Sequence, residues 1–331
     1  MADTLKLSIL DQSPIRKGGS AQQALQETVE LAQLAEKLGY ERFWVSEHHN
    51  ISALAGSAPE VLIPHLANHT NKIKLGSGGI MLPNHSALKV AENFRMLETL
   101  FPGRIDLGVG RAPGGDRLTS HLLNPSNTFS EQDFVQQLED LQAYLTDQGQ
   151  VKAIPVAPSV PDLWVLSSSG QSALFAAQVG MGFSFAHFIN PNGGPDAVRW
   201  YRNRFKPSEL LKEPKVNMAI FVLCAETEEK AFELQKNMDI QLLLLAQGKR
   251  RDGYPAYEEI KDYRYSDDEK KLVLYNRQRM VCGTPEQVKQ RLTQLAQEYG
   301  IDEIMAVTIT HSFADRCRSY ELLAKEFKLQ A

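Results

Sequence analysis

The sequence predicts a closed (β/α)8 barrel, and three observations support this fold class. Short β-like runs alternate with longer amphipathic helical runs eight times along the 331 residues. Strands that alternate with helices form parallel βαβ units, and eight units in a chain of this length match the size of such a barrel. The fingerprint G-x-G-x-x-G, which usually follows the first strand of an open doubly wound sheet, does not occur in the sequence.

The predicted strands are short runs of apolar, aromatic and β-branched residues, and the predicted helices carry apolar residues at helical spacing. In chain order, the strands cover residues 5–10, 42–46, 73–81, 104–110, 163–167, 183–187, 216–225 and 303–309. The helices cover residues 21–38, 58–69, 87–100, 129–146, 171–179, 196–205, 228–246, 285–299 and 313–327.

Local signals define several element boundaries. Ser20 is a typical N-cap for the first helix, and Gly39 is typical of its C-terminal end. Thr284, followed by proline, predicts the start of a later helix. Residues 249–283 are polar and irregular, so we expect an insertion before the last βα unit. The expected organisation is a single domain spanning residues 1–331.

Composition excludes several classes of function. The chain has 36 Lys and Arg against 40 Asp and Glu, a formal net charge of −4, and 43% hydrophobic residues. A disordered chain is excluded by this apolar content, and a nucleic-acid partner is not expected without a long basic run. No apolar run, the five residues 242–246 included, is long enough to span a bilayer. Three cysteines without a C-x-x-C pair fit a reducing compartment, so we expect a cytoplasmic protein without a membrane partner.

The active site of a barrel enzyme lies at the carboxyl ends of its strands. Six consecutive predicted strands end there in polar or glycine-rich residues. These strand ends are residues 11–14, 47–50, 76–85, 110–116, 167–172 and His187. A barrel without a ligand site does not need this pattern, so we expect a binding site for a small molecule on this face.

Two adjacent histidines are the candidates for proton transfer, because imidazole titrates near physiological pH. His48 and His49 follow the second strand. Strand neighbours point to opposite sides, so we expect one of them to face the cavity. The alternative interpretation is that one histidine caps the strand and the other is solvated.

The strand ends also offer groups for an anion and for a flat ring. The serines of residues 167–172 precede a helix, and Arg111 ends the neighbouring strand. Hydroxyls, free N–H groups and a guanidinium together suit a phosphate, although serines also form simple N-caps. Glycines 76, 78 and 79 suit a stacked ring or a β-bulge. His65 and His69 are four residues apart, but Leu66 replaces the glutamate of H-E-x-x-H, so no metal is expected.

Four segments resemble the bacterial luciferase-like flavin monooxygenases, in their single-polypeptide, uncharacterised branch. They are LDQSP at residues 10–14, WVSEHHN at 44–50, LGSGGIMLPNH at 75–85 and GRIDLGVGRAPG at 103–114. The resemblance implies a (β/α)8 barrel and reduced FMN, supplied by a separate flavin reductase. It further implies that oxygen reacts with the flavin to give a 4a-hydroperoxide that oxidises a small organic substrate, and that the protein is a homodimer.

The resemblance also assigns residues. It implies that His48 is catalytic and assists proton transfer. It places a non-prolyl cis peptide at Gly78-Gly79, beneath the flavin, and the flavin phosphate near Arg111. The full set of cofactor-binding residues that it implies is Asp11, Gly78, Gly79, Arg111, Ser168, Ser169, Gly170, Ser172 and His187. Ser168 replaces a glutamate of luciferase, and His187 replaces a tryptophan, so the surroundings of the flavin differ from those in luciferase.

Two other functions remain open at this point. A relative with the same barrel transfers hydride with a deazaflavin and uses no oxygen. A flavin-binding protein that stores or senses FMN would carry the same phosphate site without turnover. Tight FMN binding disfavours the first alternative, and an effect of substituting His48 on turnover disfavours the second.

Overall fold

The computed structural model describes residues 5–126, 129–249 and 252–330, which contain nine parallel strands and twelve α-helices. The strands are β1 (Lys6–Asp11), β2 (Arg42–Val45), β3 (Lys74–Met81), β4 (Ile105–Gly110), β5 (Asp162–Ser167), β6 (Gly182–Ala186), β7 (Val216–Cys224), β8 (Met280–Gly283) and β9 (Glu303–Val307). The helices are α1 (Ala21–Leu38), α2 (Pro59–Asn68), α3 (Ala87–Leu100), α4 (Arg117–Leu123), α5 (Glu131–Leu145), α6 (Gly170–Val179), α7 (Gly194–Arg204), α8 (Glu228–Ala246), α9 (Tyr257–Ile260), α10 (Asp267–Arg277), α11 (Pro285–Tyr299) and α12 (Phe313–Phe327).

Eight of these strands close into a barrel. Strands β1 to β6 pair in sequence order, β6 pairs with β7, and β9 pairs with both β7 and β1. All pairings are parallel, and helices follow the strands. The predicted (β/α)8 barrel is therefore confirmed, with each predicted strand present and its boundaries shifted by a few residues at most.

The remaining strand, β8, extends the sheet beside β7. The first half of β7 pairs with β6, whereas Phe221 to Cys224 pair with Met280 to Gly283 of β8. This strand lies in the segment predicted to be irregular, which also holds helices α9 and α10. A capping box formed by Ser266 and Glu269 starts α10. The prediction missed β8 because it has only four residues, and it missed α9 and α10 because they are largely polar. Arg250 and Arg251 of that segment lie outside the described residues.

Several predicted caps are confirmed. The Ser20 hydroxyl accepts a hydrogen bond from the N–H of Gln23, and Gly39 ends α1 in the left-handed conformation with φ 83°. Thr284 begins α11, and Pro285 is its first residue. These local interactions satisfy N–H and carbonyl groups that a helix leaves unpaired at its ends, and so they fix where the chain turns back toward the barrel.

The interior of the barrel is apolar near the site and charged at its opposite end. Leu10, Trp44, Trp164 and Met305 belong to the buried cluster inside the strands. Near the start of β2, the fully buried Arg42 forms ion pairs with Asp106 and Glu303. Within the described residues, no helix is both long and apolar enough to cross a membrane.

Candidate functional site

A cavity of about 1090 Å³ opens at the carboxyl ends of the barrel strands. Its inner surface is apolar and includes Leu10, Leu166, Ala186, Ala219 and Met305. Its rim is polar and carries groups from the loops after β2, β4 and β5. The volume lies near the upper end of the range typical of small-molecule sites, which allows a cofactor and a second molecule to bind together.

Seven of the predicted site residues line this cavity. They are His48, Gly78, Gly79, Arg111, Ser168, Ser169 and Ser172. They come from four different strand ends, so the barrel brings together residues that are up to 124 positions apart in the sequence, from 48 to 172.

Asp11, Gly170 and His187 are not among the residues that line the cavity. The buried Asp11 carboxylate accepts hydrogen bonds from the Thr28 hydroxyl (2.6 Å) and from Arg316 (3.2 Å). These contacts tie β1 to α1 and α12. Asp11 points away from the cavity because its neighbour Leu10 points into it, as strand alternation requires.

His187 follows the same rule at the end of β6. Ser184 and Ala186 face the cavity, so His187 lies on the opposite side. Its Nδ1 lies 2.7 Å from the Tyr299 hydroxyl and its Nε2 lies 2.9 Å from the Gln278 carbonyl oxygen. Burial lowers its pKa below the ordinary histidine value, which favours the neutral ring. His187 thus packs against the helical layer.

Gly170 is the first residue of α6 and lies against Trp200. A Cβ added to Gly170 would lie 2.5 Å from Cζ3 of that ring. The glycine therefore supports close packing of α6 against α7, while the neighbouring serines face the cavity.

The two adjacent histidines separate as strand alternation predicts. His48 lines the cavity, its N–H donates to the Gly56 carbonyl (2.9 Å), and its Nδ1 lies 3.0 Å from the Ser46 hydroxyl. His49 instead places Nε2 at 2.8 Å from Glu47 Oε1. The Ser46 contact orients the His48 ring, which is what a group that transfers protons requires.

Glu47, which precedes His48 at the predicted strand end, is a buried carboxylate whose contacts were not predicted from the sequence. Glu47 Oε1 contacts Nε2 of both His49 (2.8 Å) and His85 (2.9 Å), and its Oε2 accepts the N–H of Met81 (2.9 Å). Burial raises the pKa of Glu47, but hydrogen bonds from His85, His49 and the Met81 N–H outweigh it, so the pKa lies below the ordinary value. Glu47 therefore links the loops after β2 and β3 as an anion.

The Glu47 contact gives a prediction for the pH dependence of stability. Burial lowers the pKa of His85, but the bond to Glu47 more than compensates and raises it overall. The interaction then stabilises the fold fully below the pKa of His85 in the unfolded chain, and this contribution is lost as the pH rises through the folded value. We expect His85→Gln to lower the free energy of unfolding by about 1–2 kcal/mol at pH 6 and by less at pH 9.

Urea unfolding of the wild type and His85→Gln at both pH values measures this difference. His69→Gln is the control, because His69 is exposed at the end of α2 and contacts the His65 carbonyl rather than an acid. A difference between wild type and His85→Gln that stays constant from pH 6 to pH 9 contradicts the prediction.

The peptide bond between Gly78 and Gly79 is cis, as the family resemblance implies. Both glycines line the cavity at the end of β3, where the pairing with β4 shifts register. A Cβ on Gly79 would lie 2.7 Å from the Gly108 carbonyl oxygen, so a larger residue does not fit without moving backbone. The two glycines leave a smooth surface that a planar ring can approach.

The wall of the cavity formed after β4 and β5, the strands that follow β3 in the barrel, suits an anion. Arg111 and the serines before α6 line it together. Ser169 is the N-cap of α6, and its hydroxyl contacts Ser167 Oγ (3.2 Å). Within the described residues, that hydroxyl accepts no N–H from the first turn of α6, so the positive end of the helix dipole faces the cavity.

Glu131 is a second residue missed from the sequence. One of its oxygens lies 2.8 Å from Arg111 Nη1, and the other accepts a hydrogen bond from Gln171. Glu131 is partly exposed at the start of α5. A phosphate at this wall would therefore share Arg111 with Glu131 or displace its carboxylate.

Helix α4 is the third feature that the sequence analysis missed. It is seven residues long, and Asp116 caps it by accepting the N–H of Thr119 (3.0 Å). Arg117, Ser120 and His121 of this helix line the cavity. Its signal in the sequence was an aspartate N-cap before a short apolar run, in a segment predicted to be loop.

The family model for luciferase-like monooxygenases matches residues 5–303. The chain belongs to this family. The Bacillus subtilis relative YwcH, an uncharacterized protein, is 53% identical over 98% of this chain and 99% of its own length. The N-acetyl-S-alkylcysteine monooxygenase of Bacillus subtilis is 37% identical over 97% of each chain. The solved structure of apo-MsnO8 has a TM-score of 0.93 and 38% identity, and covers 98% of this chain and 99% of that chain.

Two solved structures share the fold of the luciferase-like monooxygenases at lower identity and differ in cofactor. The oxygenating constituent of 3,6-diketocamphane monooxygenase from Pseudomonas putida, in complex with FMN, has a TM-score of 0.69 at 17% identity and covers 98% of both chains. An F420-dependent secondary alcohol dehydrogenase has a TM-score of 0.71 at 12% identity and covers 98% of this chain and 99% of that chain. Family membership makes the chain a flavin-type monooxygenase or oxidoreductase in general terms.

Proposed function

We propose that this chain is a monooxygenase that uses reduced FMN and molecular oxygen to oxidise a small organic substrate. The observation that carries the proposal is the composition of one cavity. It combines an anion-binding wall at Arg111 and the serines, a glycine surface at the cis peptide, and a histidine whose ring is oriented by Ser46. When bound, reduced FMN supplies the two electrons with which one oxygen atom enters the substrate and the other leaves as water.

The residues present fit this cofactor. The phosphate would bind Arg111, the hydroxyls of Ser168, Ser169 and Ser172, and the first N–H groups of α6. The ring would lie near the Gly78-Gly79 peptide, and His48 would transfer a proton to or from the reacting groups. The inner surface of the cavity is apolar and would contact the apolar parts of the flavin and of the substrate.

The proposal also includes the partners that the family resemblance implies. A separate flavin reductase would supply reduced FMN, and two copies of the chain would form a homodimer in the cytoplasm. Substrate screening can start with N-acetyl-S-alkylcysteines, because a relative with 37% identity is named for its action on them.

Arg111→Ala tests the phosphate site. We expect the variant to bind FMN about 10- to 100-fold more weakly, because a charge-assisted hydrogen bond of about 1.5–3 kcal/mol is lost. Riboflavin lacks the phosphate, so its affinity should change less than about threefold. Quenching of flavin fluorescence measures both dissociation constants.

Glu131→Gln is the matched variant. It removes a negative charge that lies against Arg111, so we expect FMN to bind more tightly while riboflavin binding is unchanged. Equal losses of FMN and riboflavin affinity in Arg111→Ala refute the assignment of the phosphate.

The deazaflavin alternative is tested by the same titration. Because a deazaflavin also carries a phosphate, Arg111 and the serines alone do not distinguish it from FMN. Substoichiometric FMN binding together with tight deazaflavin binding, and substrate reduction without oxygen, would replace the proposal with hydride transfer.

A further inference from the structure

Helix α4 orients its polar and apolar sides in an unusual way. Arg117, Ser120 and His121 occupy positions i, i+3 and i+4, so they share one face, and this face lines the cavity. Leu118 and Leu122 lie on the other side and are 67% and 71% exposed. A surface helix normally buries its apolar side and exposes its polar side. In α4 the polar side instead faces the cavity.

Hydrogen bonds hold α4 against the loops that carry the histidine. Asn50 Nδ2 donates to Asp116 Oδ2 (2.7 Å), and the N–H of His49 donates to the Gly114 carbonyl (2.9 Å). At the other end of the helix, Asn124 Nδ2 donates to the Pro83 carbonyl (2.9 Å). These contacts fix α4 to the loops after β2 and β3, on the side of the cavity where His48 lies.

The two arginines that line the cavity, Arg111 and Arg117, have different partners. Arg111 pairs with Glu131, and Glu131 also contacts Gln171 of α6. Arg117 projects from α4, and in the described part of the chain no carboxylate forms an ion pair with it. The nearby Asp116 carboxylate is engaged by Asn50 and Thr119. Arg117 thus provides a cationic group at the His48 side that no carboxylate among the described residues neutralises.

We propose that Arg117 binds a carboxylate of the substrate. This inference rests on the proposed function, in which the phosphate of FMN occupies the Arg111 wall and leaves the His48 side for the substrate. The planar guanidinium can form two parallel hydrogen bonds to a carboxylate. The apolar part of such a substrate would contact Phe188 and Ile189, which line the same cavity. The substrate class is then a small organic acid with an apolar chain or ring.

The test compares acids with their uncharged amides. The probes are 3-phenylpropanoate with 3-phenylpropanamide, and hexanoate with hexanamide. Each is titrated into the FMN-saturated protein, and binding is read from the flavin difference spectrum and by calorimetry. We expect the wild type to bind each acid about tenfold more tightly than its amide.

Two variants test whether Arg117 causes the tighter binding of the acid than of its amide. Arg117→Met keeps much of the side-chain length and should reduce the acid preference to less than about twofold, with FMN affinity unchanged. Arg264→Met removes the same charge from an exposed position outside the cavity and should keep the wild-type preference. Added salt should weaken the preference in the wild type and in Arg264→Met, because the contact is at the open rim.

Three results overturn the inference. They are equal binding of acid and amide to the wild type, no binding of any acid, or an acid preference that survives in Arg117→Met. Failure of the proposed function is seen separately, as a wild type that does not bind FMN. The acids and amides are then titrated into the protein alone, and the comparison of wild type with Arg117→Met still tests Arg117.

Discussion

Replacing Arg42 with Met should destabilise the barrel by about 3–5 kcal/mol, because it leaves two buried carboxylates without their cation. Arg42 is 2% exposed and lies between Asp106 Oδ2 (2.7 Å from Nη1) and Glu303 Oε1 (2.7 Å from Nε). Trp44 Nε1 also donates to Asp106, at 2.8 Å. This network joins β2, β4 and β9, so its loss affects the barrel directly.

The pKa of Asp106 gives the expected pH dependence of this loss. Burial raises the pKa of Asp106 above its ordinary value even though Arg42 lowers it. Without Arg42, protonation relieves the buried charge, so we expect Arg42→Met to regain stability relative to the wild type as the pH falls from 7 toward 5. Urea unfolding across this range measures both effects.

Two further variants distinguish a buried-charge effect from a packing effect. Lys6→Met removes an exposed charge whose distance to Glu41 is 4.0 Å, and should change stability by less than about 0.5 kcal/mol. Adding Asp106→Asn and Glu303→Gln to Arg42→Met neutralises the carboxylates and should recover part of the loss. A loss below about 1 kcal/mol in Arg42→Met alone is incompatible with this account of the network.

The barrel could be predicted from the sequence because its information is local and repeated. The strands are short and mostly buried, most of them rich in apolar residues, each long helix has an apolar face, and caps such as Ser20 and Gly39 act within a few residues. Closure follows from the number of units and the parallel pairing. None of these inferences required a contact between distant parts of the chain.

The missed elements lack such signals. Strand β8 has four residues and lies in a segment that is otherwise mostly polar. Helix α4 has seven residues, about two turns, which is too short for its periodicity to stand out. Helix α4 also turns its polar face inward, which is the reverse of the pattern used to recognise a surface helix. A pattern based on burial alone therefore predicts a loop there.

The place of the site in the barrel could be predicted from the sequence, but the directions of its side chains could be predicted only in part. The family motifs located the strand ends correctly, and seven residues line the cavity. For Asp11 and His187, strand alternation decides which way the side chain points, and the motif does not encode this. The role of Glu47 depends on His85, which is 38 residues away on another loop. Such contacts exist only after the barrel has formed.

Replacing His48 with Ala should reduce coupled substrate oxidation by about 10²- to 10⁴-fold, the usual contribution of a general acid or base. The Ser46 hydroxyl holds Nδ1, so we assign the transferred proton to Nε2. The affinity for FMN should change less than about threefold, because the proposed phosphate contacts are at Arg111 and the serines. Stopped-flow flavin reoxidation, with product and hydrogen peroxide quantified, measures the rate and the coupling.

Controls separate proton transfer from damage to the cavity. His69→Ala removes an exposed histidine outside the cavity and should leave turnover unchanged. Added imidazole should restore part of the activity of His48→Ala, because the cavity is open at this end and a free ring can replace the missing one. Ser46→Ala should lower the rate less than His48→Ala, since it only loosens the ring. Normal turnover in His48→Ala would exclude a catalytic role for this residue.

Tight FMN binding without turnover in the wild type, unchanged in His48→Ala, would identify a flavin-storing protein, since storage requires the phosphate wall but no proton transfer.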